Sequence, residues 1–140
     1  MPPRNRKKSK GRNTQNTGVH IEAVKVLRTV GDQEAFYFYE AVGKPTGEVA
    51  RNLSDFVDRV NSVKSESLMF HLQRKDFQNW VGKILGDSKL AEELERISPS
   101  NSDDVRTKIH ETVENRMREL KESSAQVSVD ENAVVLLPYP

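Results

Sequence analysis

The sequence has no cysteine, and its three histidines, His20, His71 and His110, lie far apart. The absence of cysteine excludes a disulfide framework, a thiolate metal site and a thiol nucleophile. A zinc site needs three or four convergent ligands, and no two of these histidines have the short spacing that places two ligands on one metal. We therefore expect neither a metal site nor a cofactor.

Long apolar runs and recognisable catalytic motifs are also missing. No apolar run approaches the roughly 18 residues that cross a bilayer, and no apolar signal segment follows the basic N-terminus. The stretch Gly43-Lys44-Pro45-Thr46 resembles the end of a phosphate-binding loop, but Phe38 stands where the first glycine is needed and Pro45 has no amide donor. We therefore expect a cytoplasmic protein that is not an enzyme and has no membrane partner.

Acidic residues are absent from the first 14 positions, although the whole chain is nearly neutral. The net charge of +1 comes from 22 Lys and Arg residues and 21 Asp and Glu residues. Six of the cations lie in residues 1–14, so the rest of the chain has 16 cations against 21 acids, a net charge of −5. The six cations are Arg4, Arg6, Lys7, Lys8, Lys10 and Arg12.

Residues 1–18 form a basic arm that contains one large apolar residue, Met1. Such a segment buries too little surface to offset the entropy of ordering it, so we predict that it is disordered. Six interspersed cations are typical of contact with the phosphate backbone of RNA or DNA, or with another polyanion. The alternative is a tail that only increases solubility.

Residues 19–30 fit two patterns almost equally well. Val19, Ile21, Val24 and Val26 alternate as in a strand, whereas an apolar residue every three or four positions from Ala23 fits a helix. The high β-branched content favours a strand.

Residues 35–51 predict an aromatic β-hairpin. In its first strand Phe36 and Phe38 share one face, and Tyr37 and Tyr39 share the other. A five-residue turn with two glycines and one proline then leads to a short return strand. The turn is residues 43–47, and the return strand is residues 48–51.

Four short helices are predicted after the hairpin. The third has the clearest pattern, because its apolar residues form a full stripe and Gly86 follows it in the usual C-terminal position. We expect Phe77 and Trp80 of this stripe to lie in the core and not to form a stacking platform. The predicted N-caps are Ser54, Ser65, Asp76 and either Asp87 or Ser88.

A long helix is predicted from about Ser102 to Glu122, with a narrow apolar stripe. Such a stripe packs against a single neighbour, and we expect its own domain to be that neighbour, with a partner protein as the alternative. The stripe is Val105, Ile109, Val113, Met117 and Leu120.

Residues 124–140 are predicted as a polar linker that ends in an apolar tail. The tail either docks as an edge strand on the hairpin or binds another protein by strand addition. Its apolar residues are Val134, Val135, Leu136, Leu137 and Tyr139.

The corner between the second and third helices carries His71, Arg74 and Asp76. We expect His71 to bond Asp76 or to cap the preceding helix. The outward face of the hairpin, with Tyr37 and Tyr39, offers rings that can stack on a base or a sugar, unless the C-terminal tail covers them. Together these five residues are a candidate ligand surface.

Three stretches carry a family resemblance: AFYFYEAVGKPTG, NLSDFVDRV and SLMFHLQRKDFQNWVGKILGDSKLAEEL. They resemble a family of archaeal and bacterial domains of unknown function, over about 45% of the chain, from residue 35 to about residue 97. The resemblance implies an accessory or interaction module, and it leaves the basic arm, the long helix and the tail outside. The matching residues are Phe36, Phe38, Gly43, Gly47, Leu53, Ser54, Phe56, Phe70, His71, Leu72, Arg74, Asp76, Phe77, Trp80, Leu85, Gly86 and Asp87.

We therefore expect an α+β fold that is mainly α, with an aromatic hairpin packed on a bundle of short helices and a long amphipathic helix after it. The predicted function is non-enzymatic nucleic-acid binding through the basic arm, in a ribonucleoprotein or nucleoid assembly. The alternative is a protein-interaction adaptor that uses the long helix and the tail. The predicted segments are 1–18, 19–100, 101–123 and 124–140.

Overall fold

The computed structural model describes residues 22–99 and 103–136, with side chains for residues 22–99 and 104–123. The fold is α+β and mainly α, as predicted, with one antiparallel hairpin. A short helical turn at residues 22–26 precedes the named elements. These are β1 (Phe36–Ala41), β2 (Lys44–Ala50), α1 (Leu53–Ser62), α2 (Ser65–Arg74), α3 (Asp76–Asn79), a π-helical turn (Trp80–Leu85), α4 (Ser88–Glu95) and α5 (Asp103–Leu136).

The hairpin presents its aromatic residues as the alternation predicts. Phe36 and Phe38 are buried, whereas Tyr37 is exposed. The predicted five-residue turn is wrong: Val42 and Gly43 alone make the turn, and β2 already begins at Lys44. Proline is tolerated there because a two-stranded sheet has only edge strands, where a missing amide donor costs little.

Each outer edge of the hairpin forms a hydrogen bond with a side chain of a helix. The amide of Tyr39 donates to Nε2 of His71 from α2 at 2.8 Å. On the other strand, Nε of Arg59 from α1 donates to the carbonyl of Val49 at 3.1 Å. Unpaired strand edges attract further strands, and these bonds limit that tendency.

The core beneath the hairpin is a cluster of aromatic rings. Phe36 lies 4.8 Å from Phe38 and 5.2 Å from Phe77 between ring centroids, and Phe56 stacks on Trp80 at 5.7 Å. Offset and edge-to-face pairs of this kind add about 0.5–1.5 kcal/mol each beyond the area they bury. The cluster fixes the hairpin against α1, α2 and α3.

The strand predicted for residues 19–30 is wrong where the structure describes it, because residues 22–26 are helical. Ala23 and Val26 are fully buried one turn apart, and Val24 between them is 59% exposed. Burial of one helical face therefore outweighs the β-branched content.

The helix caps agree with the prediction only in part. Asp87 caps α4 as expected, since its carboxylate accepts from the amide of Leu90 at 3.1 Å. Asn52, and not Ser54, caps α1 by accepting from the amide of Asp55 at 2.7 Å. Ser65 is the first residue of α2, which has no side-chain cap bond.

The long helix α5 packs on its own domain, through Val105, Ile109, Val113 and Leu120, which are all buried. Arg106 adds two bonds to the end of α1, from its guanidinium to the carbonyls of Val60 at 2.6 Å and Val63 at 2.7 Å. The apolar face of α5 therefore packs against its own domain, as predicted.

The helix α5 ends at Leu136 and not near Glu122, so the predicted linker is helical over residues 124–136. Val134, Val135 and Leu136 accordingly have helical backbone, which excludes their docking as an edge strand. Leu137 and Tyr139 lie outside the described residues. Among the helices described here, none is long and apolar enough to cross a membrane.

Candidate functional site

A cavity of about 440 Å³ lies between β1 and the corner of α2 and α3. Its volume falls in the range of about 300–1,000 Å³ that is usual for small-ligand sites. The cavity brings together all five residues of the candidate ligand surface, Tyr37, Tyr39, His71, Arg74 and Asp76. These residues are separated by up to 39 positions in the sequence, and the packing of the hairpin on α2 places them side by side.

The walls of the cavity are aromatic. Tyr37 is 44% exposed, and its hydroxyl donates to the carbonyl of Asp32 at 2.7 Å, which fixes the ring. Tyr39 and Phe70 are half-buried. Trp80 lines the cavity from the core side, and its indole N–H donates to the carbonyl of Glu34 at 2.8 Å. Trp80 is thus a core residue, as expected, that also contributes to the site.

Three side chains at the helix corner form a bonded group, here named the corner cluster: His71, Arg74 and Asp76. One oxygen of Asp76, Oδ2, accepts from Nδ1 of His71 at 2.8 Å and from Nε of Arg74 at 3.0 Å. Nε2 of His71 accepts from the amide of Tyr39. An imidazole nitrogen that accepts carries no proton, so His71 is the neutral tautomer with its proton on Nδ1.

Burial lowers the pKa of His71 below its ordinary value. The side chain is almost fully buried, which disfavours the charged imidazolium. The bond to Asp76 favours the imidazolium and offsets part of this effect, whereas the guanidinium of Arg74 disfavours it. Both ring nitrogens of His71 are engaged, so the ring has no free position with which to accept a proton from a ligand.

Lys75 connects α2 to α3 in the left-handed conformation, with φ of +65°. A non-glycine residue in this conformation costs on the order of 1 kcal/mol. Its ammonium bonds Glu95 at 2.5 Å, which helps to hold the turn. The sharp turn places Arg74 and Asp76 on either side of it, where both face the cavity. Asp76, predicted to be an N-cap, is instead the first residue of α3.

Hydrogen-bonding groups remain available at the rim of the cavity. The guanidinium of Arg74 lies over the Phe70 ring, 4.8 Å from its centroid, and only its Nε has a partner among the described residues. Oδ1 of Asp76 likewise has no partner within the described part of the chain, and Asn79 adds an exposed amide. The site can therefore stack a planar group and both donate to and accept from its edge.

A second polar group, here named the interhelix cluster, joins α4, α5 and the helical turn at residues 22–26. Arg116 donates to both carboxylate oxygens of Asp87, at 2.7 and 3.2 Å. It also bonds Glu119 at 3.0 Å and Glu22 at 2.9 Å. Burial works against the charged form, but these bonds prevail and raise the pKa of Arg116. This cluster lines no described cavity and has a structural role.

Two further residues of the site, Phe70 and Asn79, were not predicted from the sequence. Phe70 stands four positions before Arg74, and Asn79 three positions after Asp76. Helical spacing of three or four was the signal that could have added them. The six cations of the basic arm lie outside the described residues. No group of three or more His, Asp or Glu side chains that could hold a metal ion occurs in the part of the chain that the structure describes.

Comparison with known proteins gives a family match. The profile of DUF5752, described as a family of unknown function, matches residues 33–132. This range contains the hairpin, α1 to α4 and most of α5. The sequence resemblance had placed the long helix outside the family region, and the match shows that most of this helix lies inside it. No curated protein and no solved structure matches the chain.

Proposed function

The chain belongs to the DUF5752 family, whose function is unknown, and we propose that it is a non-enzymatic module that binds single-stranded nucleic acid. In this proposal the cavity receives one unstacked base, and the basic arm contacts the phosphates. The observation that carries the proposal is a cavity with aromatic walls and with hydrogen-bonding groups at its rim that have no partner among the described residues. The basic arm supports it from the sequence.

Stacking is the first contribution. Stacking of a base on an aromatic side chain is worth about 1–3 kcal/mol per base and tolerates any sequence, because every base has a flat face. Tyr37 is held by its bond to Asp32, so little entropy is lost when a base packs on it. Bases in a duplex are already stacked, which favours single strands for this site.

The edge of the base is the second contribution. Arg74 supplies donors, Oδ1 of Asp76 supplies an acceptor, and base edges present donors beside acceptors. Because Arg74 and Asp76 are paired, their charges cancel and the cavity has little attraction for a phosphate. We therefore assign the base to the cavity and the phosphates to the six arm cations.

A binding role also fits His71 better than a catalytic one. General bases need a free nitrogen within hydrogen-bond distance of the proton that they remove. Nε2 and Nδ1 of His71 already bond Tyr39 and Asp76.

The test is the fluorescence anisotropy of labelled single-stranded RNA, single-stranded DNA and duplex DNA with the full chain. Deleting residues 1–14 should abolish retention at low salt, because six phosphate contacts at about 0.7 each account for up to about 4 of the slope of log Kd against log salt in the full chain. Arg74→Ala should weaken binding with little change in that slope, whereas the exposed Arg118→Ala should change neither. Unchanged binding after the deletion would contradict the proposal.

A second candidate is the protein-interaction adaptor. It is favoured by the continuation of α5 for 16 residues beyond Leu120, about 24 Å at 1.5 Å per residue. Sedimentation of the full chain and of a 1–125 truncation distinguishes it from nucleic-acid binding. Self-association or a partner that is lost with the truncation supports the adaptor, and identical behaviour of both chains contradicts it.

A further inference from the structure

We propose that His71 is a positioning residue that keeps the cavity in its binding shape only while its imidazole is neutral, so that binding weakens in mild acid. The ligand in this inference rests on the proposed function, but the bonds that carry it do not. His71 connects two sides of the cavity, with β1 on one side and the start of α3 on the other.

The two ring nitrogens have opposite roles. Nε2 accepts from the amide of Tyr39, whose side chain is a wall of the cavity, at 2.8 Å. Nδ1 donates to Asp76 Oδ2, also at 2.8 Å, and so directs the other oxygen of that carboxylate. A single neutral imidazole thus sets the position of a stacking wall and of a rim acceptor.

Protonation changes one of these bonds and keeps the other. In the imidazolium both nitrogens are donors, so Nε2–H would point at the amide N–H of Tyr39. The hydrogen bond to Tyr39 is then lost and the two N–H groups repel each other, while the bond to Asp76 is retained. The strand β1 must then move from α2 at Tyr39, or the imidazole must turn and release Asp76. Either movement alters the cavity.

The surroundings of His71 determine where it titrates. Asp76 from α3 favours the imidazolium, and Arg74 at the end of α2 disfavours it. From β1, His71 meets the rings of Phe36 and Phe38, and the acid of that strand, Glu40, is paired with Lys44 and Lys64 instead. Desolvation among the rings is the largest influence and lowers the pKa of His71 below 6.5.

The sign of the pH effect follows from this direction. The folded protein holds its proton less tightly at His71 than the unfolded chain does, so the unfolded state binds more protons in acid. The stabilisation from neutral His71 is complete above the unfolded pKa of about 6.5 and is lost as the pH falls through the lower folded value. Stability should therefore begin to decline near pH 6.5, and binding should decline at lower pH, where His71 of the folded protein takes up its proton.

The experiment uses His71→Gln in the full chain, with His110→Gln as the matched control. Glutamine can accept from Tyr39 with its carbonyl and donate to Asp76 with its amide, but it takes up no proton. Affinity for a single-stranded RNA 12-mer is measured between about pH 7.5 and about pH 5, a range that spans the ordinary histidine pKa. NMR follows the amide of Tyr39 over the same range without ligand.

We expect affinity to fall on acidification in the wild type and in His110→Gln, and to fall less in His71→Gln. The Tyr39 amide should shift on acidification in the wild type and remain constant in His71→Gln. Equal pH profiles in wild type and His71→Gln, or a Tyr39 amide that does not move, would overturn the inference.

If no oligonucleotide binds at any pH, the proposed function fails, and the amide titration still decides the role of His71. If His71→Gln does not fold, the ¹⁵N shifts of the His71 ring in the wild type are measured instead, and a ring that stays neutral while affinity falls would overturn the inference.

Discussion

The corner cluster and the interhelix cluster each pair an arginine with an aspartate that stands at the start of a helix. The two pairs differ in how many of their polar atoms form hydrogen bonds. Asp87 and Arg116 are 2% and 8% exposed, and both oxygens of Asp87 bond Arg116. The side chains of Asp76 and Arg74 are 25% and 54% exposed, and one oxygen of Asp76 receives both described bonds. The comparison separates a pair that holds the fold from a pair that retains capacity to bind.

The interhelix cluster should contribute most to stability, so Arg116→Ala is expected to have the largest effect. Removing one partner of a buried ion pair leaves the other charge buried and unpaired, which costs about 3–5 kcal/mol. Urea denaturation of wild type and Arg116→Ala measures this loss. Arg118→Ala, on the same helix but exposed, should change stability by less than about 0.5 kcal/mol. A loss below about 1 kcal/mol in Arg116→Ala would remove the distinction between the clusters.

The corner cluster should show the reverse behaviour. Arg74→Ala breaks an exposed pair, so the free energy of unfolding should change by less than about 1 kcal/mol. Affinity for single-stranded RNA should nevertheless fall about tenfold, which corresponds to about 1.4 kcal/mol. Denaturation and anisotropy on the same preparation test both statements. A large loss of stability with unchanged affinity would contradict them.

The smallest expected effect lies between Arg74 and Asp76, at Lys75. Lys75→Gly removes the penalty of a side chain at φ of +65°, on the order of 1 kcal/mol, and should stabilise the fold by less than this amount because glycine adds entropy to the unfolded chain. Loss of the exposed bond to Glu95 offsets part of this gain. Thermal denaturation measures the sum, with Lys83→Gly inside the neighbouring π-helical turn as a control that should be destabilised. Destabilisation by Lys75→Gly would show that the turn is not strained.

Regular periodicity is the part of this fold that the sequence predicts. The alternation of Phe36 and Phe38 with Tyr37 and Tyr39 correctly separates the inner and outer faces of β1. The apolar spacing of α5 correctly identifies the face that packs on the domain. In both cases one residue type repeats at the period of one element, so local information is sufficient.

Features that depend on distant contacts could not be predicted in this way. Residues 22–26 are helical because Ala23 and Val26 are buried against the domain, which outweighs their local preference. Arg116 is buried on the apolar side of α5 because Asp87 meets it there, and the sequence shows only a charged residue in a charged helix. The corner residues were selected from the sequence, but that they share a cavity with Tyr37 depends on how the hairpin packs on α2.

Trp80 offers the most direct test of the account, because it is the only tryptophan in the chain and it lines the cavity. Its emission is titrated with single-stranded oligonucleotides of each of the four bases in the wild type, Arg74→Ala and Arg118→Ala. We expect saturable quenching in the wild type and in Arg118→Ala, at concentrations about tenfold lower than in Arg74→Ala. Emission that stays constant while the oligonucleotide binds would place the nucleic acid elsewhere and contradict the assignment of the base to this cavity.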